Sequence, residues 1–186
     1  MIKVGITGLL ASGKTTVAKV LSGKKYPIFN ADREVKKVYQ RKLFKDKIFK
    51  KFNVKTKKEI KKIISKNPKK LIILEKFIHP FVRKEMQYFI KKNKRKKILL
   101  FEIPLLIESK LMRKFDKIIF VNCKRSLRVR RFLKRGKSKK LFDLLDKRQS
   151  NSKKKKQLSD YVINNNFSFQ RLKDNVKILE NIIIIN

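Results

Sequence analysis

The stretch GITGLLASGKTTVAKVL, residues 5–21, constrains this chain more than any other. Gly8, four further residues, then Gly13, Lys14 and Thr15 match the spacing GxxxxGK[ST]. An apolar run, IKVGIT, leads into the motif and a helix-spaced segment, KTTVAKVL, leads out of it. Glycine at both ends opens backbone conformations closed to other residues and lets amide groups converge on phosphate oxygens. The helix that follows turns the positive end of its dipole to the same anion. Lys14 is then placed to bridge β- and γ-phosphates, and the Thr15 hydroxyl to hold a magnesium ion. The expectation is a strand–loop–helix unit that cradles a nucleoside triphosphate.

A loop of this kind needs a parallel sheet to carry it. Five apolar runs, IKVGIT, YPIFNA, KILLFEIP, KIIFVN and YVINN, alternate with segments of helical spacing. That alternation predicts one α/β domain of the P-loop kinase type, a five-stranded parallel sheet with helices on both faces. The first helix begins at the loop and buries Val17, Val20 and Leu21 on one face. The core comprises residues 1–32, 97–130 and 158–186. The longest gap, residues 33–96, carries apolar patches at Val35, Val38, Tyr39 and Leu43 and at Ile60, Ile63 and Ile64, and reads as a helical, acceptor-binding insert. A basic stretch, RSLRVRRFLKRGKSKKLFDLLDKRQ, supplies a lid over residues 131–150.

Composition matters chiefly through charge. Fifty-four Lys and Arg against 14 Asp and Glu give a formal net charge of +40, while 41% hydrophobic residues rule out a disordered tail. The bases recur along the whole chain, as in KTKKEIKKIISKNPKK, KKNKRKK and SKKKKQ, and alternate with apolar residues as solvated helix faces do. No RNP-like aromatic pattern accompanies them, so no specific nucleic-acid partner is expected. A positive field still speeds capture of a polyphosphate. Cys123 is the lone cysteine and lies in the apolar run IIFVNC, a core position that fits a reducing compartment. The longest apolar runs, ILLFEIPLLI and IIII, are too short to span a bilayer, so a cytoplasmic chain without a membrane partner is expected.

Other residues narrow the chemistry. A GTPase needs NKxD after a strand and a DxxG; the nearest string, NKRK at 93–96, lacks the aspartate. A small kinase remains. FNADR puts Asp32 just past the second strand, on the edge that faces the ligand cleft in open α/β sheets. There it either accepts a proton from an attacking hydroxyl or caps the helix beginning at REVKKVY. Arg131 and Arg135, four apart, are expected on one helix face, where their guanidinium groups neutralise charge on a transferring phosphoryl group.

GITGLLASGKTTVA, NADR, LEKFIHPFVR, FEIPLLIES, RFLKRG, Gln149 and SDYVINNN occur in the order and approximate spacing of dephospho-coenzyme A kinases, and the chain resembles that family over nearly its whole length. The most specific parts are His79–Pro80, the PLLxE run Pro104–Glu108 and the D-x-V-I-x-N pattern that starts at Asp160. The resemblance implies transfer of the ATP γ-phosphoryl, with Mg2+, to the ribose 3′-hydroxyl of dephospho-coenzyme A. It implies an ATP-binding loop of Leu10, Ala11, Ser12, Gly13, Lys14 and Thr15, a base at Asp32, lid arginines at Arg131 and Arg135, and Asn164 with Asn165 near the adenine. His79 and Arg83 fall in the coenzyme-binding insert; the bare sequence reads His79 as a structural residue packing a helix start. A P-loop kinase for a nucleoside monophosphate or similar acceptor is the alternative. Leu9 and Ala11 stand where the family carries glycine, Asn30 where it carries the first aspartate of DAD, and Glu102 where an aspartate precedes PLL. The glycine-containing G-x-L-D-R stretch before the HP pair is missing.

Overall fold

A computed structural model describes residues 1–67 and 69–185. The chain divides into two compact units, Met1–Asn30 with the residues from Asn93 onward, and Ala31–Lys92.

The first unit is built on five strands: β1 (Ile2–Gly8), β2 (Ile28–Asn30), β3 (Ile98–Glu102), β4 (Lys117–Asn122) and β5 (Tyr161–Asn164). They coincide with the five apolar runs and lie in the order β2-β3-β1-β4-β5, all parallel. Side chains alternate across the sheet. Val4 and Ile6 of β1, with Leu100, Ile119 and Ile163, pack against Val17, Ala18 and Leu21 of α1 (Lys14–Ser22) and Leu172, Val176 and Leu179 of α9 (Phe169–Ile185). Val20 joins that cluster half-buried. On the opposite face Gly5 lies against Leu106 and Phe115, side chains of the segment between β3 and β4.

Helices α6 (Arg125–Leu133), α7 (Lys139–Asp146) and α8 (Ser152–Gln157) and a short 3-10 turn, Met112–Lys114, also belong to this unit. Register places Asn30 beside Glu102, and Glu102 beside Ile6, so the loop after Gly8 and the ends of β2 and β3 share the carboxyl edge of the sheet.

The second unit holds α2 (Ala31–Val38), α3 (Lys42–Phe52), α4 (Lys57–Lys66) and α5 (Lys69–Lys92). Its core gathers Val38, Phe44, Ile48, Ile60, Leu74 and Ile78, with Phe77 and Phe81 packed against them. Phe44 takes the place expected of Leu43, which is 63% exposed, because α3 starts at Lys42 and turns the neighbouring side chain inward. The side chain of Ile64, expected in the same core, lies outside the described residues. Thr56 and Glu59 cap α4 reciprocally: the Glu59 amide donates to Thr56 Oγ1, while Glu59 carboxylate oxygens accept from Thr56 Oγ1 and the Lys55 amide.

Candidate active site

After Gly8 the chain turns tightly, with the Ser12 amide donating to Leu9 O at 3.1 Å. Gly13 has φ 100° and ψ 21° at the N-cap of α1, and no side chain caps that helix. The Ser12 side chain is buried, and its Oγ is one of two buried side-chain polar atoms without a hydrogen-bond partner among the described residues. A buried orphan hydroxyl beside an uncapped helix start is unfavourable unless an anion completes both. Lys14 Nζ reaches back to Gly8 O (3.1 Å) and Leu9 O (3.0 Å) while 8% exposed, so its charge stays over the mouth of the turn. These donors fit a polyphosphate. Gly8 is required by close approach: a Cβ there would lie 2.6 Å from Ser12 Oγ and 2.7 Å from Val121 O.

The residues able to hold a metal adjoin this turn. Thr15 Oγ1 donates to Glu102 Oε1 at 2.5 Å, and Asn30 Nδ2 donates to Glu102 Oε2. Glu102 is buried, and two donors from different elements hold its carboxylate. The Thr15 oxygen keeps lone pairs for a cation, and the carboxylate stands one shell behind it.

Residues far along the chain brace the turn from the other side. Asn165 Nδ2 donates to Ser12 O at 2.8 Å and occupies the space a Gly13 Cβ would need, which would fall 2.1 Å from it. Gly13 is therefore fixed twice, by its left-handed backbone and by Asn165. Arg131 donates from Nη2 to Asn165 O (3.1 Å) and from Nη1 toward Ser12 O (3.4 Å) and Cys123 Sγ (3.2 Å). Cys123 is buried, as expected of the run that holds it, and burial pushes its thiol up. Sequence reasoning placed Asn164 and Asn165 together. Only Asn165 touches the turn; Asn164 is exposed and accepts from Asn122 Nδ2 at 2.8 Å. The expectation that Arg135 shares a helix face with Arg131 is corrected. Helix α6 ends at Leu133, and Gly136, with φ 69°, follows in the turn that carries Arg135, so Arg135 lies exposed beyond the helix.

In the second unit Asp32 lies in the first turn of α2, two residues past β2. The helix already starts at Ala31, so Asp32 is not its cap; it meets the helix dipole from within the first turn. Asp32 is exposed and makes no hydrogen bond or ion pair among the described residues. His79 and Pro80 sit inside α5 rather than at a helix start. Burial lowers the His79 pKa, Glu75 opposes that and the Arg83 guanidinium one turn on adds to it, so the ring is neutral at pH 7. Arg83 is exposed. No cluster of three or more metal-ligating His, Cys, Asp or Glu occurs among the described residues.

Comparison with known proteins places the chain in a family. The family model of dephospho-CoA kinase matches residues 2–171. A dephospho-CoA kinase of Fusobacterium nucleatum is 31% identical over 180 residues, covering 91% of this chain and 92% of that protein. Among solved structures, TT1252 from Thermus thermophilus superposes with a TM-score of 0.78 at 25% identity, covering 96% of this chain and 95% of the other. Dephospho-CoA kinase from Campylobacter jejuni, 23% identical, shares the fold with a TM-score of 0.65 over 97% of this chain and 96% of its own. The glycine-bounded turn after β1, the parallel sheet that carries it and a match over most of the length converge on one assignment: the chain belongs to the dephospho-CoA kinase family.

Proposed function

We propose that this chain completes coenzyme A synthesis through the following division of labour. The turn from Leu10 to Thr15 holds the ATP phosphates, Lys14 spans the β- and γ-phosphates, and Arg131 and Arg135 neutralise charge as the phosphoryl group moves. Asp32 takes the proton of the ribose 3′-hydroxyl of dephospho-coenzyme A. That oxygen bonds to the γ-phosphorus as the bond to the β–γ bridging oxygen breaks, giving coenzyme A and ADP. The insert, residues 33–96 with His79 and Arg83, binds the acceptor, and Asn164 lies toward the adenine. Thr15, with Glu102 behind it, would hold Mg2+, which would supply charge neutralisation at the phosphates. Both substrates belong to the cytoplasm, where a chain with one buried cysteine is at home.

The observation that carries this reading is a pair of uncompleted donors at one turn, the orphaned Ser12 Oγ and the uncapped start of α1, with the Lys14 ammonium bonded to the carbonyls of Gly8 and Leu9 beside them. Asp32 is supported by its lack of any other commitment, which leaves its carboxylate available as an acceptor.

Incubation with Mg·ATP and a panel of acceptors, followed by mass spectrometry, tests the reaction. Dephospho-coenzyme A alone is expected to gain a phosphoryl group; phosphorylation of a nucleoside monophosphate in its place would reassign the acceptor. Asp32→Asn is expected to lower kcat by roughly 100-fold or more, the usual scale for a general base, with KM for ATP little changed. Near-normal turnover in that variant would remove Asp32 from the base role.

A further inference from the structure

Leu10, at the crest of the phosphate loop, is gripped from outside the loop on both sides of its backbone. Its amide donates to Gln149 Oε1 at 2.6 Å, and its carbonyl faces Arg128 Nη1 at 3.4 Å. Arg128 is itself only 4% exposed and is held bidentately by Asp146, Nη1 to Oδ1 at 2.6 Å and Nη2 to Oδ2 at 3.3 Å. The flanks of the grip are apolar: Ala11 packs with Phe132 of α6 and Phe142 of α7, joined by Leu10, Val129 and Leu145. The guanidinium of Arg128 lies 5.5 Å from the Phe142 ring centroid. The crest of the loop and the helical segment after β4 thus form one packed body.

We propose that Gln149, backed by the Arg128–Asp146 pair, is a positioning residue that holds the Leu10 peptide in the orientation the loop needs to receive ATP phosphates. This rests on the assignment of residues 10–15 as the ATP phosphate site. Leu10 immediately precedes Ala11, Ser12 and Gly13, where the chain enters left-handed backbone at φ 58° and 100°. A crest free to rotate about those positions would populate several loop forms, only one of which converges its amides. Apparent affinity for a ligand falls in proportion to the population of the competent form. The acceptor oxygen of Gln149 meets the loop itself, so its effect is expected on ATP rather than on the acceptor.

The test is Gln149→Met, which keeps the length of the side chain and removes the acceptor. Its expected signature is a roughly tenfold rise in KM for ATP and in Kd for ADP, the scale of one half-buried amide left without a partner. KM for dephospho-coenzyme A is expected to stay at the wild-type value. A purely structural residue would move both KM values together, and that result overturns the proposal. So does an unchanged KM for ATP. Wild-type protein gives a second reading that does not depend on the variant folding: amide exchange followed by NMR without nucleotide. The Leu10 amide should exchange slowly for a loop position, and exchange at the rate of an open loop amide refutes the clasp. Wild-type protein that fails to bind Mg·ATP at all would instead count against the ATP assignment.

Discussion

Ala11 holds φ 58°, a conformation that disfavours a Cβ. The left-handed backbone costs an L-residue about 1–2 kcal/mol. Against that, the methyl is 6% exposed and packs into the Phe132–Phe142 cluster. Burying it contributes about 0.8 kcal/mol, and avoiding the backbone entropy of glycine about 0.5–1 kcal/mol more. The terms nearly cancel, which is how this loop accommodates alanine. Ala11→Gly is accordingly expected to shift the thermal midpoint by less than about 3 °C in either direction, measured by differential scanning fluorimetry. A rise well beyond that would mean the methyl contributes nothing through its aromatic neighbours.

At the scale of elements, what was legible in the sequence was what is decided locally. Parallel strands buried on both faces are continuous apolar runs, so all five were readable, as was a helix opening at Lys14 behind a glycine pair. The tight turn between β1 and α1 was readable for the same reason. Its braces were not, because they arrive from distant parts of the chain: Glu102 and Asn30 at two strand ends, Asn165 beyond β5, Gln149 beyond α7. One-residue choices also escaped. Nothing in the letters INN separates Asn165 from Asn164, and nothing in KLF separates Phe44 from Leu43 without the register of the helix. Lys155 is the sharpest case. The run SKKKKQ reads as solvated, yet Lys155 is fully buried in α8, with Nζ 3.0 Å from Pro104 O and 2.9 Å from Glu108 Oε1. Burial lowers its pKa while Glu108 opposes the shift. The other Glu108 bond, from the Ser150 amide at 2.8 Å, completes a junction between the PLL segment and the approach to α8. Only tertiary packing distinguishes that lysine from its neighbours.

Over the whole molecule, 14 acidic residues must serve a chain with 54 basic ones, and most of the acids have identifiable partners. Asp116 accepts from the Lys3 amide and Asp160 from the Ile118 amide, anchoring neighbouring segments to β1 and β4. Glu34 and Glu85 pair with Lys37 and Arg41, and Asp143 and Asp146 with Arg125. These pairs leave most of the positive charge uncompensated, and like charges at such density oppose the compact state. Added sodium chloride shortens the reach of each charge from about 10 Å at 0.1 M toward about 3 Å at 1 M. Thermal stability should therefore rise between about 0.05 and about 0.5 M NaCl, the reverse of a fold held mainly by surface ion pairs. The same field draws in anionic substrates, so kcat/KM for ATP should fall over that range while kcat is held. The two slopes have one source and opposite signs. A thermal midpoint that is flat or falling in NaCl would show that repulsion among the lysines does not limit stability, and a kcat/KM for ATP that ignores NaCl would remove the steering role.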